Sequence, residues 1–197
     1  MAIPTFTAPK LYHTYPNILQ CYDSILASYL TAHGKPYHWL FSENWGFFYY
    51  DADRFFYREH YTRFPLWDML RQLYGVKKTL YVDIPLERLL DAPNALSSPL
   101  FVGADEFDLP WTPEYQSIHH PHYFMITDLD KASNRAFVRD WWPSPYEDWF
   151  DLSVLCHSYD VSGRKAFRLT EPAFLYSESF LLKRLERAHE LMIGWEH

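Results

Sequence analysis

The chain has 197 residues, of which 48% are hydrophobic and 20% are aromatic, including 8 Trp, 16 Tyr and 15 Phe. This much aromatic surface can offset the entropy of ordering the chain, so the composition excludes a disordered protein. The formal net charge is -7 and no basic run occurs, which argues against a nucleic-acid partner because phosphate contacts need clustered Lys and Arg.

The cysteine content and the hydropathy pattern bear on the compartment. Two cysteines, Cys21 and Cys156, are too few for a disulfide framework and indicate a reducing environment. The first residues lack the basic and apolar regions of a secretory signal, and no apolar run approaches the roughly 18 residues that span a bilayer. We therefore expect a cytoplasmic protein with no membrane partner.

The chain begins with a segment that favours extended structure and continues into a helix. Residues 1–16 contain three prolines and predict an extended leader. Apolar residues at helical spacing over 18–30 predict the first helix, with Asn17 as the candidate N-cap and Gly34 as the stop. Cys21 then falls within the first turn or so of that helix.

Short helices and strands alternate through the middle of the chain. Residues 38–50 form an aromatic segment that we expect to be partly extended. Pro65 before an apolar-periodic stretch and Gly75 after it predict a helix over 66–74. Apolar patterning predicts strands over 79–84 and 100–105, with a short helix between them over 85–91.

The second half of the chain is richer in strands. Residues 122–128 and 136–140 predict the two strands of a hairpin, joined by a polar turn. A further strand over 169–174 and an amphipathic helix over 177–195 follow. Helices first and strands afterwards predict the α+β class, and since no repeat or linker is visible we expect one domain over 1–197.

Cys21 is the candidate nucleophile. Free amides and the positive end of the dipole at a helix N-terminus stabilise a thiolate, which is the reactive form of cysteine. The structural alternative is a small buried side chain, which is what most free cysteines are.

His122 is the candidate general base. It opens the apolar strand 122–128, so its ring can lie at the end of a sheet and accept a thiol proton. His119 and His120 compete for the same role, and any of the three rings could point inward. Three histidines this close could also hold a metal, although Pro121 interrupts regular ligand spacing, and we expect no metal site.

Asp140 is the candidate carboxylate that orients the base. It ends the second strand of the hairpin, so antiparallel pairing brings it next to the start of the His122 strand. A carboxylate that accepts from an imidazole fixes its tautomer and stabilises the imidazolium. Asp128 and Asp130 lie towards the turn at the far end of the hairpin, and we interpret both as solvated turn residues.

Acyl transfer also needs donors for a developing oxyanion. The backbone amide of Cys21 can supply one donor. Gln20 and Asn17 are the side-chain candidates, and Asn17 cannot easily serve both as the N-cap and as an oxyanion donor.

With these three residues in place, the chain resembles the papain-like cysteine-peptidase group. It is similar to the N-terminal domain of the butirosin-biosynthesis acyltransferase and, more distantly, to bacteriocin-leader peptidases. The pattern covers residues 12–143, roughly two-thirds of the chain. It consists of 17–21, the aromatic segment around Gly46, 100–105 with 109–111, 122–128 and 137–140.

The resemblance implies a fold and an activity. The expected fold is a helix that carries Cys21, packed on an antiparallel sheet that carries His122 and Asp140. The expected reaction moves an acyl or peptidyl group from the phosphopantetheine arm of a carrier protein through a cysteine thioester, within antibiotic or other secondary-metabolite biosynthesis. The acceptor would be a small-molecule or peptide amine, or water in a thioesterase, and the protein itself would need no cofactor.

Such a reaction needs a groove for the pantetheine arm. Four aromatic residues are the candidates to line it, namely Trp45, Phe47, Trp111 and Trp141. Two other functions stay open at this point. One is a non-catalytic accessory protein that holds a carrier or a peptide on the same fold, and the other is a cysteine peptidase.

Overall fold

The computed structural model describes residues 21–41, 47–49, 55–57 and 66–193. The chain divides into two compact units, which are described separately below. The first unit consists of Met1–Ala32 and Lys78–Thr170, and the second of His33–Lys77 and Glu171–His197. The single domain expected over 1–197 stays a prediction.

Helices and strands both occur along the described part of the chain. The helices are α1 (Cys21–Ala32), α2 (Leu66–Tyr74), α3 (Leu86–Asp91), α4 (Leu152–Val161) and α5 (Glu178–Ile193). The strands are β1 (Phe47–Tyr49), β2 (Phe55–Tyr57), β3 (Lys78–Val82), β4 (Leu100–Asp105), β5 (Pro121–Asp130), β6 (Arg135–Asp140), β7 (Tyr146–Asp151) and β8 (Lys165–Leu169). Short 3-10 helices span Tyr37–Phe41 and Glu106–Asp108.

The first unit is built on a six-stranded sheet in the order β3-β8-β4-β5-β6-β7. Every neighbouring pair in this sheet is antiparallel. The predicted hairpin is present as β5 and β6, with a register irregularity between Ile126 and Asp128. The mixed helices and antiparallel sheet confirm the α+β class.

The two faces of this sheet have different coverings. One face forms a buried core with α3 and α4, and its strand residues are Leu100, Val102, Ala104, Phe124, Ile126, Ala136, Val138 and Ala166. On the other face α1 packs through aromatic rings, with Tyr22 5.3 Å from Tyr123 and Tyr29 5.5 Å from Phe101 between ring centroids. Because side chains alternate along a strand, neighbouring residues of β5 serve different faces.

The second unit contains β1, β2, α2, α5 and the Tyr37–Phe41 helix. Strands β1 and β2 pair antiparallel, with Phe48 opposite Phe56. Helix α2 has the predicted bounds and is followed by Gly75 at φ +64, a left-handed conformation that favours glycine. The described part of α5 agrees with the predicted amphipathic helix within two residues.

The sequence analysis missed β7 and α4. Strand β7 lies at the edge of the sheet and has three acidic residues among six, so no alternation of apolar residues marks it. Helix α4 begins after Asp151, whose carboxylate accepts from the amides of Ser153 and Val154. Cys156 and His157 both lie in this helix.

The strand predicted over 169–174 was also misplaced. The observed strand β8 ends at Leu169 and lies between β3 and β4. It is preceded by a turn in which Gly163 and Arg164 adopt φ values of 89 and 52. Beyond Leu169 comes Pro172, which has no amide to donate to a strand partner.

Candidate active site

His122 and Asp140 enter the same buried face of the sheet from adjacent strands. His122 is opposite Ala104 of β4, whose small side chain leaves space for the ring. Asp140 ends β6, two residues beyond Val138 and on the same face of that strand. Alternation along the two strands therefore directs both side chains into the core, and neither has any exposed surface.

The imidazole and the carboxylate are in direct contact. His122 Nε2 lies 2.5 Å from Asp140 Oδ2. Burial, the largest single effect, opposes the charged ring, but the interactions with Asp140, Cys21 and Glu106 together outweigh it and raise the pKa of His122 well above the usual value. Asp140 makes the largest of these contributions. The sequence-predicted pair of base and carboxylate is thus brought together.

Asp140 is fixed by more than the histidine. The indole Nε1 of Trp111 donates to the same oxygen, Oδ2, at 2.8 Å. The backbone amide of Trp142 donates to Oδ1 at 3.2 Å. A buried carboxylate with several donors is held in one orientation, so Asp140 can fix the ring and its tautomer.

The tryptophans near the site have other surroundings than the open groove that we expected them to line. Trp111 stacks on Tyr146 at 4.1 Å and uses its polar edge to hold Asp140. Trp141 is only 3% exposed, so it offers no exposed wall to a groove. Its neighbour Trp142, which the sequence analysis did not select, lies beside the His122 ring with centroids 5.8 Å apart.

Cys21 is the first described residue of α1, and its side chain is partly exposed. Helix α1 packs on β5, the strand that carries His122. Cys21 interacts with the His122 ring, and it also raises the pKa of Tyr123 together with the larger effect of burial. Because Nε2 of His122 is occupied by Asp140, Nδ1 is the nitrogen left for the thiol.

Glu106 is a site residue that the sequence analysis missed. Its Oε1 lies 2.9 Å from His122 Nδ1, although the N–H direction does not satisfy an aligned hydrogen bond. The side chain is 1% exposed. A signal for it was present in the sequence, since Leu100, Val102 and Ala104 alternate on the core face and Glu106 continues that spacing.

A second acidic residue lies beside Glu106. Glu114 interacts with the Glu106 carboxyl group, which raises the pKa of Glu114, and burial adds to the increase. Burial works to raise the pKa of Glu106 as well, but its interactions with His122 and Glu114 outweigh burial and lower it. Glu114 therefore holds a proton more readily than Glu106 does.

The other two histidines have different surroundings. His119 is 68% exposed at its side chain and contacts Asp105, with Nδ1 2.7 Å from Oδ2. The exposed side chain of His120 approaches Glu106 with its Nδ1 3.6 Å from Oε1. Of the three histidines only His122 contacts Asp140, because it lies within β5 on the face that Phe124 and Ile126 turn to the core, whereas His119 and His120 precede the strand.

The competing aspartates lie in the last three residues of β5, next to the turn. Asp130 accepts hydrogen bonds from the amides of Ala132 and Ser133. Asp128 accepts from the amide of Leu129 and is exposed. Both carboxylates stabilise the local backbone at the far end of the hairpin from His122.

Some predicted site residues lie outside the described residues. Asn17 and Gln20, the oxyanion candidates, are among them, as is Trp45. Phe47 is described only as the first residue of β1. Within the described ranges, no three His, Cys, Asp or Glu side chains are grouped so as to hold a metal ion. The helices described in the structure include none that is both long and apolar enough to cross a membrane.

Comparison with known proteins assigns no family to this chain. No family model matches the chain, and no curated protein matches it. Among solved structures, a presumed C39-like peptidase from Bacillus anthracis is similar over 80% of this chain and 96% of its own, at 13% identity and a TM-score of 0.47. Likeness of this degree assigns neither a family nor an activity, and the resemblance to the butirosin-biosynthesis domain stays a hypothesis.

Proposed function

We propose that the protein is a cysteine-dependent acyl-transfer enzyme of papain-like architecture. Cys21 is the nucleophile, His122 the base and Asp140 the group that orients the base. The observation that carries this proposal is the buried contact between His122 Nε2 and Asp140 Oδ2. It leaves Nδ1 as the nitrogen available to Cys21, with which the ring interacts.

The chemistry follows from this arrangement. The Nε2–H of His122 donates to Asp140, and the raised pKa of the ring favours a resting pair in which Nδ1 already holds the proton of Cys21, so the sulfur attacks a thioester carbonyl as a thiolate. The tetrahedral oxyanion forms near the Cys21 amide, and its collapse expels the donor thiol, which takes the proton from Nδ1. An amine or water then attacks the acyl-enzyme, gives a proton to Nδ1 and releases the Cys21 thiolate, which restores the resting pair.

The substrate class in the proposal is a carrier-bound acyl or peptidyl thioester, with transfer to an amine or to water. It rests on the resemblance to the butirosin-biosynthesis domain, and so does the phosphopantetheine arm as the bound group. We place the protein in the cytoplasm, where acyl carrier proteins occur. The oxyanion donors beyond the Cys21 amide remain the proposed Gln20 and Asn17.

Trapping of an acyl-enzyme tests this function. The full chain is incubated with acetyl and hexanoyl thioesters of N-acetylcysteamine, which mimic the end of a pantetheine arm, and is analysed by intact mass and peptide mapping. We expect one acyl group on Cys21, and no acylation in Cys21→Ala. Addition of a primary amine then distinguishes transfer to the amine from hydrolysis.

Cys156→Ala is the matched control. Burial, with the nearby Glu87 carboxyl group, raises the pKa of the Cys156 thiol to about 12, so this thiol stays protonated and unreactive at neutral pH. The control should acylate like the wild type. Acylation at Cys156, or none at either cysteine in the folded protein, would contradict the proposal.

A non-catalytic accessory protein is the second candidate. The observation that favours it is the Glu106 carboxyl group at Nδ1 of His122, in the position where a thiol has to exchange its proton. Such a protein would bind a carrier or a peptide without acylation of Cys21. Cleavage of unmodified peptides with no uptake of acyl thioesters would instead identify a cysteine peptidase.

A further inference from the structure

Glu106 has no role in the three-residue mechanism, yet it lies in the most protected part of the site. It is 1% exposed, and neither carboxyl oxygen has an aligned hydrogen-bond partner. A charged group that is buried without full pairing lowers stability unless the surrounding structure imposes it. Its placement therefore calls for an explanation in terms of the neighbouring ring.

Two carboxyl groups lie on opposite sides of the His122 ring. Asp140 Oδ2 is 2.5 Å from Nε2, and Glu106 Oε1 is 2.9 Å from Nδ1. Because Nδ1 is also the nitrogen available to Cys21, the thiol and the Glu106 carboxylate compete for one N–H group. When Glu106 is ionised it favours the imidazolium and disfavours a thiolate at Cys21 through like-charge repulsion.

The backbone fixes Glu106 in this position. Its amide donates to His120 O at 2.9 Å, and its carbonyl accepts from Thr112 Oγ1 at 3.1 Å and from the Leu109 amide at 3.0 Å. Asp105, the residue before it, caps the short 3-10 helix that Glu106 begins. The side chain is therefore presented to the ring by a rigid turn.

Glu114 is a second carboxyl group that interacts with Glu106. Its Oε2 is buried without an aligned partner, while the side chain as a whole is only partly buried. Two interacting carboxyl groups do not both ionise readily, and the pKa of Glu114 is raised while that of Glu106 is lowered, so Glu114 is the group that keeps its proton to higher pH. Glu114 thus connects the buried carboxylate to solvent.

We infer that Glu106 is a positioning residue for His122, and that its carboxylate beside Nδ1 sets how strongly the ring is held away from the Cys21 thiol. This inference rests on the proposed function, since the competition matters only if Cys21 reacts. Without a charge at position 106, Nδ1 is free for the thiol. With Glu106 ionised, the imidazolium is held by the carboxylates of Glu106 and Asp140 and returns its proton reluctantly.

Among the described residues, further titratable groups lie around Glu106 and His122. Asp140 on β6, Cys21 on α1 and His120 before β5 face the pair directly. Helix α4, which packs against β4 and the short helix, contributes the uncharged Ser158 hydroxyl to the Asp105 backbone. The titratable groups of α4 have other surroundings: Cys156 near Glu87, His157 exposed, Tyr159 on Ile84 O and Asp160 paired with Arg164.

The test measures the reactivity of Cys21 and the titration of His122 in the same variants. Iodoacetamide alkylation of Cys21 is followed by peptide mapping between pH 4 and 9, and the ring nitrogens of His122 are titrated by NMR of histidine-labelled protein. The variants are Glu106→Gln and Glu114→Gln. The matched control is Asp108→Asn, which removes one carboxylate from the same short helix.

We expect Glu106→Gln to move the midpoint of Cys21 alkylation down by about one pH unit, which is about tenfold faster alkylation on the acidic side. The pKa of His122 should fall in the same variant, because one of its two carboxylates has lost its charge. Glu114→Gln should cause a smaller downward shift, since it removes only the second ionisation of the pair. Asp108→Asn should change the rate by less than about twofold.

The relative size of the alkylation shifts in the three variants tests the inference. A shift in Glu106→Gln no larger than that in Asp108→Asn, in protein that melts as a folded chain, overturns the inference. If Glu106→Gln does not fold, Glu114→Gln must exceed the control by more than about twofold or the inference is lost. Failure of the proposed function looks different, because wild-type Cys21 would then alkylate no faster than free cysteine and take up no acyl group.

Discussion

Two pairs of histidine and aspartate lie at the same end of the sheet and differ mainly in burial. His119 and Asp105 are 2.7 Å apart, with 68% and 7% of their side chains exposed. His122 and Asp140 are 2.5 Å apart, with no exposure of either side chain. In both pairs the aspartate ends a strand and also accepts from backbone amides.

The difference between the pairs shows what burial adds to a contact. Burial works to raise the pKa of Asp105, but the His119 ring and the amides of Phe107 and His120 outweigh it and lower the pKa. An exposed ring can exchange its partner for water at little cost. The His122 ring has no such alternative, so its charge depends on the carboxyl groups around it. We expect the His119–Asp105 pair to be dispensable for the reaction of Cys21, and the His122–Asp140 pair to control the reactivity of that thiol.

The largest expected difference between the two pairs is in the rate of Cys21 acylation when the aspartate of each pair loses its charge. Asp140→Asn should lower the rate of Cys21 acylation by about 10²- to 10⁴-fold, because the tautomer and the imidazolium lose their support. Asp105→Asn should change that rate by less than about threefold. The rates are measured with N-acetylcysteamine thioesters at pH 7, and equal losses in the two variants would break the comparison.

Truncation of the rings gives a contrast in stability. His122→Ala leaves Asp140 buried without its cation and should lower the free energy of unfolding by about 3–5 kcal/mol. His119→Ala should cost less than about 1 kcal/mol, since that ring is mostly exposed. Urea unfolding at pH 6 measures both. A His122→Ala protein as stable as His119→Ala would mean that the buried pair contributes no more than the exposed one.

The next prediction concerns Trp111, whose indole donates a hydrogen bond to Asp140. Trp111→Phe keeps most of the aromatic packing but removes the donor 2.8 Å from Oδ2, and should cost about 1–3 kcal/mol. Acylation of Cys21 should slow with it, because Asp140 orients the ring less firmly. Trp149→Phe, in β7, is the control, since its ring packs on Phe137 away from the site. Identical acylation rates in the two variants would remove Trp111 from the site.

The pH dependence of stability gives the smallest effect. The pKa of His122 is raised on folding, so its contribution to stability is fully present below the unfolded value of about 6.5 and is lost as pH rises through the folded value. From about pH 6.5 upward the folded chain binds more protons than the unfolded chain, and the free energy of unfolding falls. The steepest slope is about 1.4 kcal/mol per pH unit.

Urea unfolding from pH 6 to 9 checks this slope against His122→Gln, which cannot titrate at that position. The wild type should lose stability relative to the variant as pH rises. Parallel curves for the two proteins would show that the ring is not held as a cation. The same series in His119→Ala should follow the wild type closely.

Much of the first unit's sheet could be predicted from local patterns. Strand β4 has the predicted bounds, and the hairpin of β5 and β6 is present, because runs of apolar residues bounded by polar turns mark buried strands. Helix α4 and strand β7 were missed, since β7 is an edge strand whose charged residues hide its period. The strand predicted over 169–174 failed because a proline falls within it.

The sequence by itself placed a cysteine in an early helix, a histidine at the start of a strand and an aspartate at the end of the next. Periodicity and chain order carry that information, since alternation along a strand fixes which face a side chain takes. Periodicity and chain order did not decide which of the three histidines is the general base. Only the tertiary structure decided among them, because burial and the register of β5 against β4 and β6 bring His122 alone to Asp140.

The tertiary structure also decided what else surrounds the base. Glu106, Trp111 and Trp142 come from different parts of the chain and meet at one ring or its carboxylate. No local pattern specifies such a meeting, because it depends on how strands and loops pack in space. The low polarity of that packed interior is what makes the charges around His122 matter.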